Sequence, residues 1–329
     1  MQDGLEDRQY HITITGQREA RTAMGSENFN FRASDGTDIF VYKWLPEHPK
    51  AVVQIAHGMA EHAGRYDRFA QKLVSEGFAV YANDHRGHGK TAGSTDNLGY
   101  FADHNGWQRV VDDLRELTSE LKGAHPGLPC FLFGHSMGSF LFRNYIFSDC
   151  SGISGVILSG TGNNPKLLIS LGKLVAAWQV KSKGARGKTM LMHNMSFGSF
   201  NKAFRPNRTD FDWLSRDNEE VDKYINDPFC GGVFTAGFYR DLMAGLEEIG
   251  CMDNIDKIRK DLPILLFAGD MDPVGNKGKA VKQVHDMYQK AGINDLTCRL
   301  YDGGRHEMLN ETNRQEVFDD VIKWMNDRL

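Results

Sequence analysis

Two periodicities divide the chain. Short runs at 29–32 (FNFR) and 39–42 (IFVY) flank the turn-forming Ser34, Asp35, Gly36 and Thr37, a pattern that predicts an opening β-hairpin. After Pro49, apolar runs at 52–56, 78–82, 130–133, 156–158, 264–268 and 296–301 alternate with stretches of helical spacing at 65–75, 107–121, 137–147, 278–289 and 313–329. In 107–121, for example, Trp107, Val110, Val111, Leu114, Leu117 and Leu121 recur three and four apart. Buried strands alternating with helices predict an α/β fold: a mostly parallel central sheet with helices on both faces.

The rhythm breaks between 162 and 232, where no strand–helix–strand unit can be drawn. About seventy residues are too many for a connecting loop, so this stretch is expected to be an inserted, largely helical cap. The helix expected at 233–248, with Phe234, Phe238, Leu242, Met243 and Leu246, returns the chain to the sheet. Residues 1–27 are polar and unpatterned, and Met24, Gly25 and Ser26 suggest a native start or an artificial junction. The expected organisation is a leader at 1–27, a core at 28–161 and 233–329, and a cap at 162–232.

Candidate chemistry gathers at the strand ends. Gly134-His135-Ser136-Met137-Gly138 fits G-x-S-x-G, a weak pattern alone, but it follows an apolar run and opens a helical one. That is the strand–sharp turn–helix setting of a nucleophile elbow. A side chain at Gly134 or Gly138 would collide with the neighbouring strand or helix. A serine nucleophile needs a base, and the base an orienting acid, in the chain order Ser, acid, His. Alone among the twelve histidines, His306 follows the last strand, so it is the expected base. His11, His48, His125, His193 and His285 are expected on surface loops or helices. Asp270 and Asp272 both follow the 264–268 run; Asp270 suits a structural carboxylate, and Asp272, further out, is the preferred acid. The oxyanion would take the N–H of Met137 and that of Met59, which follows the 52–56 run. His57 is expected to hold that turn rather than to act as a base.

His57-Gly58-Met59-Ala60-Glu61-His62, Gly64-Arg65-Tyr66, Asp84-His85-Arg86-Gly87-His88-Gly89-Lys90-Thr91 and the Ser136 pentapeptide together resemble the monoacylglycerol lipases and bacterial lysophospholipases. These are serine hydrolases of the α/β-hydrolase class, and the similarity runs from about Phe31 to the C-terminus, through 269–273 and His306-Glu307. The resemblance implies an acid three residues after Gly269, which is Asp272, and Met59 and Met137 as oxyanion donors. It also implies a helical cap over an apolar acyl tunnel, with no metal and no cofactor. Asp227-Pro228-Phe229-Cys230 matches the end of that cap, whose middle sets acyl-chain and head-group preference. Cys230 is there either a pocket thiol or a buried structural one. The expected reaction is hydrolysis of monoacylglycerol-like or lysophospholipid-like esters. The alternatives are a general short-chain carboxylesterase and a non-catalytic ligand-binding relative. Dehalogenases and epoxide hydrolases of the class need a carboxylate where Ser136 stands, and aminopeptidase relatives carry a Gly-rich run that 57–60 lacks. The Asp84–Gly89 loop is expected to be structural, and His62 with Asp67, an H-x4-D pattern, is read as a coincidence of helix start.

Composition removes several classes. A net charge of −4 argues against nucleic-acid partners. The five cysteines show no ligand spacing or framework, so reduced thiols in a cytoplasmic protein are expected. The acidic start MQDGLEDRQY argues against a secretory signal, and 167–180 is expected to be too short and interrupted to span a bilayer. Locally the balance reverses. Nine Lys or Arg and no Asp or Glu lie between 163 and 209, beside Leu167, Leu168, Leu171, Leu174 and Trp178. The segment suits either a solvated face or peripheral contact with an anionic lipid surface. The expected partner is a small lipid or ester; composition sets no oligomeric state.

Overall fold

The computed structural model describes residues 28–148 and 150–329. The leader expected at 1–27, with His11, lies outside the described residues. Eight strands form one sheet: β1 (Phe29–Arg32), β2 (Asp38–Trp44), β3 (Ala51–Ala56), β4 (Phe78–Asn83), β5 (Cys130–His135), β6 (Ile153–Ser159), β7 (Ile264–Gly269) and β8 (Leu296–Tyr301). Their order is β1-β2-β4-β3-β5-β6-β7-β8. β1 and β2 pair antiparallel as the hairpin pattern predicts, β2 joins β4 antiparallel, and every later pairing is parallel. All six residues of β3, β4, β5 and β7 are buried, which is why these strands read as unbroken apolar runs.

The helices are α1 (Asp67–Ser75), α2 (Gly89–Ala92), α3 (Gly106–Ala124), α4 (Met137–Tyr145), α5 (Lys166–Lys183), α6 (Met190–Phe197), α7 (Asn218–Asn226), α8 (Ala236–Ile249), α9 (Met252–Ile255), α10 (Lys279–Lys290) and α11 (Arg314–Asn326). α1 and α11 cover one face of the sheet, through Phe69, Leu73, Val317, Phe318 and Val321. α3, α4, α8 and α10 cover the other, through Val110, Leu114, Leu141, Phe238 and Val284. The helix expected from residue 65 starts instead with a short 3-10 turn, Ala63–Tyr66.

Residues 162–232 add no strand to the sheet and carry α5, α6 and α7, with a 3-10 turn at Phe200–Phe204. α5 lies on α8 with Ile169, Gly172 and Ala176 buried. A Cβ on Gly172 would stand 2.6 Å from Met243 Sδ, so glycine sets the closeness of that crossing. Thr189 caps α6, accepting the Met192 N–H, and donates its hydroxyl to Gln179 on α5 at 2.7 Å. From α4 the fully buried Arg143 donates to the Gly162 carbonyl at 2.6 Å and to the Ile249 carbonyl at 3.1 Å. One cation thus satisfies two carbonyls, at the start of this segment and at the end of α8, that burial would otherwise leave unpaired.

Candidate active site

Local sterics build the elbow. Ser136, between β5 and α4, has φ 50° and ψ −118°, a region that costs a non-glycine residue about 1–3 kcal/mol and persists only where its surroundings enforce it. Here the enforcement is close packing on both sides. A Cβ on Gly134 would lie 2.5 Å from the Gly138 carbonyl oxygen, and one on Gly138 only 2.0 Å from that of Ala56. The Ser136 N–H donates to the Ser159 carbonyl at 2.8 Å, which ties the turn to the end of β6. The strand runs directly into α4, so the side chain stands at a helix N-terminus, where free amides and the dipole favour developing negative charge.

Asp272 and His306 come from the loops after β7 and β8. Asp272 is fully buried and His306 nearly so, and His306 Nδ1 donates to both Asp272 oxygens at 3.0 Å. Asp272 Oδ1 also accepts the Val274 N–H at 2.8 Å. Asp270 turns away and accepts the Gly303 N–H at 2.8 Å, so it braces the loop beneath His306. Burial pulls the imidazolium of His306 down, but the charge and hydrogen bond of Asp272 outweigh it and the net shift is upward. His306 and Ser136 line one cavity together with Met59 and Met137. Neither methionine amide donates to a protein acceptor among the described residues. The turn after β3 passes so close to the elbow that a Cβ on Gly58 would sit 3.2 Å from Ser136 Cβ.

Around this set lies an ionic frame to which the sequence assigned no role. Arg65 donates to both oxygens of Glu307 at 2.7 Å and to Glu61 Oε2 at 2.6 Å, and both carboxylates are buried. Glu61 Oε1 accepts the Gly58 N–H at 2.6 Å and the Tyr66 hydroxyl at 2.9 Å. One arginine therefore couples the turn carrying Met59 to the residue after His306. Burial alone would raise the Glu307 carboxyl, but the guanidinium holds it at about 2. The missed signal was two acids and an arginine inside motifs that fold as buried turns.

The loop of His306 is held from residues 213–215 as well. The His306 and Glu307 amides donate to the carbonyls of Trp213 (3.3 Å) and Leu214 (2.8 Å), and the Trp213 ring lies 5.1 Å from the His306 ring. Arg305 donates to the Ser215 carbonyl at 3.0 Å. Residues 213–215 were featureless in sequence because their contribution is mainly backbone.

Several other histidines among the described residues have structural surroundings. His57, His85 and His88 form a buried cluster of tilted and edge-on rings, with the His85 N–H donated to His57 Nε2 at 3.0 Å. Burial, together with the His88 imidazole, pushes His85 down to about 3. Asp84 accepts the amides of Ala63 and Lys90, so the 84–89 loop ties two turns together. His62 and Asp67 face different partners, Asp227 and the Trp44 indole N–H respectively. Among the histidines expected at the surface, His48 is exposed, whereas His125 is half-buried against the Tyr81 hydroxyl.

The cavity beside Ser136 has a volume of about 510 Å3. Phe140, Ile169, Met192, Phe197, Phe200, Leu242, Met243 and Leu246 line it, and Asn163, Asn164, Ser196, Ser199 and Asn276 supply its uncharged polar groups. No Lys or Arg is among the lining residues. A parallel sheet with a strained serine turn after its fifth strand, facing an apolar cavity, defines a hydrolase of the α/β-hydrolase class.

Comparison with known proteins agrees. Residues 47–313 match the family described as serine aminopeptidase, S33, and the chain belongs to that family. It is 33% identical to a monoacylglycerol lipase of Mycolicibacterium smegmatis over 303 residues, covering 90% of this chain and 95% of that one. To a monoglyceride lipase of Rattus norvegicus it is 28% identical over 301 residues, covering 90% and 89%. Among solved structures, a thermostable carboxyl esterase from Bacillus coagulans in complex with glycerol superposes with a TM-score of 0.86 at 29% identity, covering 93% of this chain and 99% of that one.

Proposed function

We propose that the protein hydrolyses monoacylglycerol-like esters through an acyl-enzyme on Ser136. The observation that carries this reading is the cavity: one apolar, partly enclosed space of a size common for small-molecule sites, with Ser136 and His306 on its wall. In the proposed reaction His306 takes the proton of Ser136 as its Oγ attacks the ester carbonyl, and Asp272 holds the imidazole and balances its charge. The amides of Met59 and Met137 receive the oxyanion. His306 returns the proton to the departing alcohol, and water then resolves the acyl-enzyme.

Two details narrow the substrate. The lining has no cation to pair with a phosphate, whereas its asparagines and serines suit the hydroxyls of a glycerol. The two carboxylates that line the cavity, Glu61 and Glu307, are already engaged by Arg65, which leaves them poorly placed to receive a free α-amino group. A monoacylglycerol should therefore exceed a lysophosphatidylcholine of the same chain in kcat/KM by at least about tenfold, the factor for 1.4 kcal/mol. Equal rates on the two would defeat the neutral head group, and turnover of p-nitrophenyl acetate alone would favour a short-chain esterase.

The outer face of α5 supports contact with a lipid surface. Leu167, Leu171, Leu174 and Trp178 recur at helical spacing and are 50–80% exposed, flanked by Lys166, Lys181 and Lys183. Leu171 also lines the cavity, so the exposed stripe borders the site itself. No helix among the described residues is long and apolar enough to cross a membrane, so such contact would be peripheral. Replacing Leu167, Leu174 and Trp178 together by serine should abolish cosedimentation with phosphatidylglycerol vesicles and leave p-nitrophenyl acetate turnover within about twofold. Unchanged cosedimentation would refute docking through α5.

A further inference from the structure

Outside the lining of the Ser136 cavity, one group of three metal-ligating side chains stands out among the described residues. His62, Asp227 and Cys230 each bring one donor atom within 4.8 Å of the others. We propose that these residues form a binding site for a thiophilic divalent cation of the zinc or cobalt type. The cation would fasten the segment after α7 to the turn after β3.

The donor chemistry favours such an ion. Imidazole, carboxylate and thiolate on one centre match borderline-soft metals, whereas calcium and magnesium take oxygen ligands. Two donors already converge, with His62 Nε2 and Asp227 Oδ2 2.8 Å apart. Tetrahedral zinc at about 2.0–2.1 Å from nitrogen and oxygen and about 2.3 Å from sulfur needs donors roughly 3.3–3.7 Å apart. The His–Asp pair therefore opens by about half an ångström, while the thiol closes by no more than about 1.5 Å.

The surroundings pre-set the ligands. Asp227 Oδ1 accepts the Phe229 N–H at 2.8 Å, and the Asp227 carbonyl accepts the Cys230 N–H at 3.0 Å. This tight turn holds two ligands at fixed spacing and supplies the outer hydrogen bonds that metal-binding carboxylates use. All three side chains are only partly buried, so a water from solvent would complete a fourth position. Carboxylate and thiolate together neutralise a dication, and the nearby Arg65 is already matched by Glu61 and Glu307. On binding, the Cys230 thiol releases its proton to solvent as the Sγ–metal bond forms. Neutral His62 passes the Nε2 proton that it donates to Asp227 to solvent and takes one on Nδ1, so that the freed Nε2 lone pair binds the metal, and no electrons change hands.

Position suggests the consequence. Ala60, between Met59 and His62, adopts φ 58°, and its carbonyl accepts both the Gly231 N–H and the Tyr224 hydroxyl at 2.9 Å. A cation on His62, Asp227 and Cys230 adds a third link across the same junction. No sequence signature announces it, because His62 and Asp227 lie 165 positions apart.

Cobalt(II) titration of the full chain, with a non-chelating phosphine reductant, tests the site. A near-ultraviolet thiolate-to-cobalt band should saturate at one equivalent, visible d–d bands of four-coordinate strength should accompany it, and Tm should rise. Cys230→Ser should lose the near-ultraviolet band, and His62→Ala and Asp227→Asn should each weaken binding by at least about tenfold, while Cys251→Ser changes nothing. Circular dichroism of each variant shows that it is folded. The proposal is overturned by the absence of a band at millimolar cobalt or by a band that survives in Cys230→Ser. Affinity indifferent to His62 and Asp227 would mark a thiol adduct only and overturns it equally.

Discussion

Ser136→Ala should lower kcat/KM for any ester the protein turns over by about 10^4–10^6, the range seen when an acyl-enzyme nucleophile is removed. Labelling by a fluorophosphonate should vanish with it. The fold should survive, because alanine keeps the Cβ that packs beside Gly58 and inherits the same backbone strain at φ 50°. Tm should move by no more than about 2 °C, as expected for a change below roughly 0.5 kcal/mol. The expectation is one-sided by construction: only the Oγ that would attack is deleted, while the amides of Met59 and Met137 remain. A labelled or active alanine variant would assign the chemistry to another residue and remove Asp272 and His306 from it too.

The second large effect comes from one methyl group. Gly138→Ala places a carbon 2.0 Å from the Ala56 carbonyl oxygen and 2.7 Å from that of His57, both of them backbone atoms at the end of β3. Neither can rotate away, so the elbow and the turn after β3 must part. Overpacked cores usually lose about 1–3 kcal/mol, and a clash this short with backbone should cost at least the upper figure. For a chain of this size that corresponds to a Tm at least about 6 °C lower. Activity should fall further than stability, since the displaced turn carries Met59. Gly123→Ala is the contrast. It lies in α3 with nothing within 4 Å of the added carbon, and it should be neutral or stabilising by up to about 1 kcal/mol. Similar Tm values for the two variants would refute the tight elbow.

Much of this architecture was readable from local pattern. Strands buried on both faces, such as β3, β5 and β7, leave continuous apolar runs, and the helices between them leave three-and-four spacing. Short loops at strand ends kept Ser136, Asp272 and His306 recognisable, because each follows its strand within a few residues. Local pattern was silent on contacts that join distant segments. The grip of residues 213–215 on the His306 loop runs largely through backbone groups, which every residue carries. Glu61, Arg65 and Glu307 were visible as letters, but their meaning depends on a 242-residue separation closing to 2.7 Å.

The chain's own order of residues therefore determined the class of chemistry, since strand, sharp turn and helix are built from neighbours and a glycine acts on its immediate surroundings. Tertiary structure alone decided what surrounds that chemistry. The cation-free apolar cavity, the exposed stripe of α5 and the meeting of His62 with Asp227 and Cys230 all arise where surfaces far apart in sequence are pressed together. Burial, charge pairing and packing are properties of that assembly, and no local spacing encodes them.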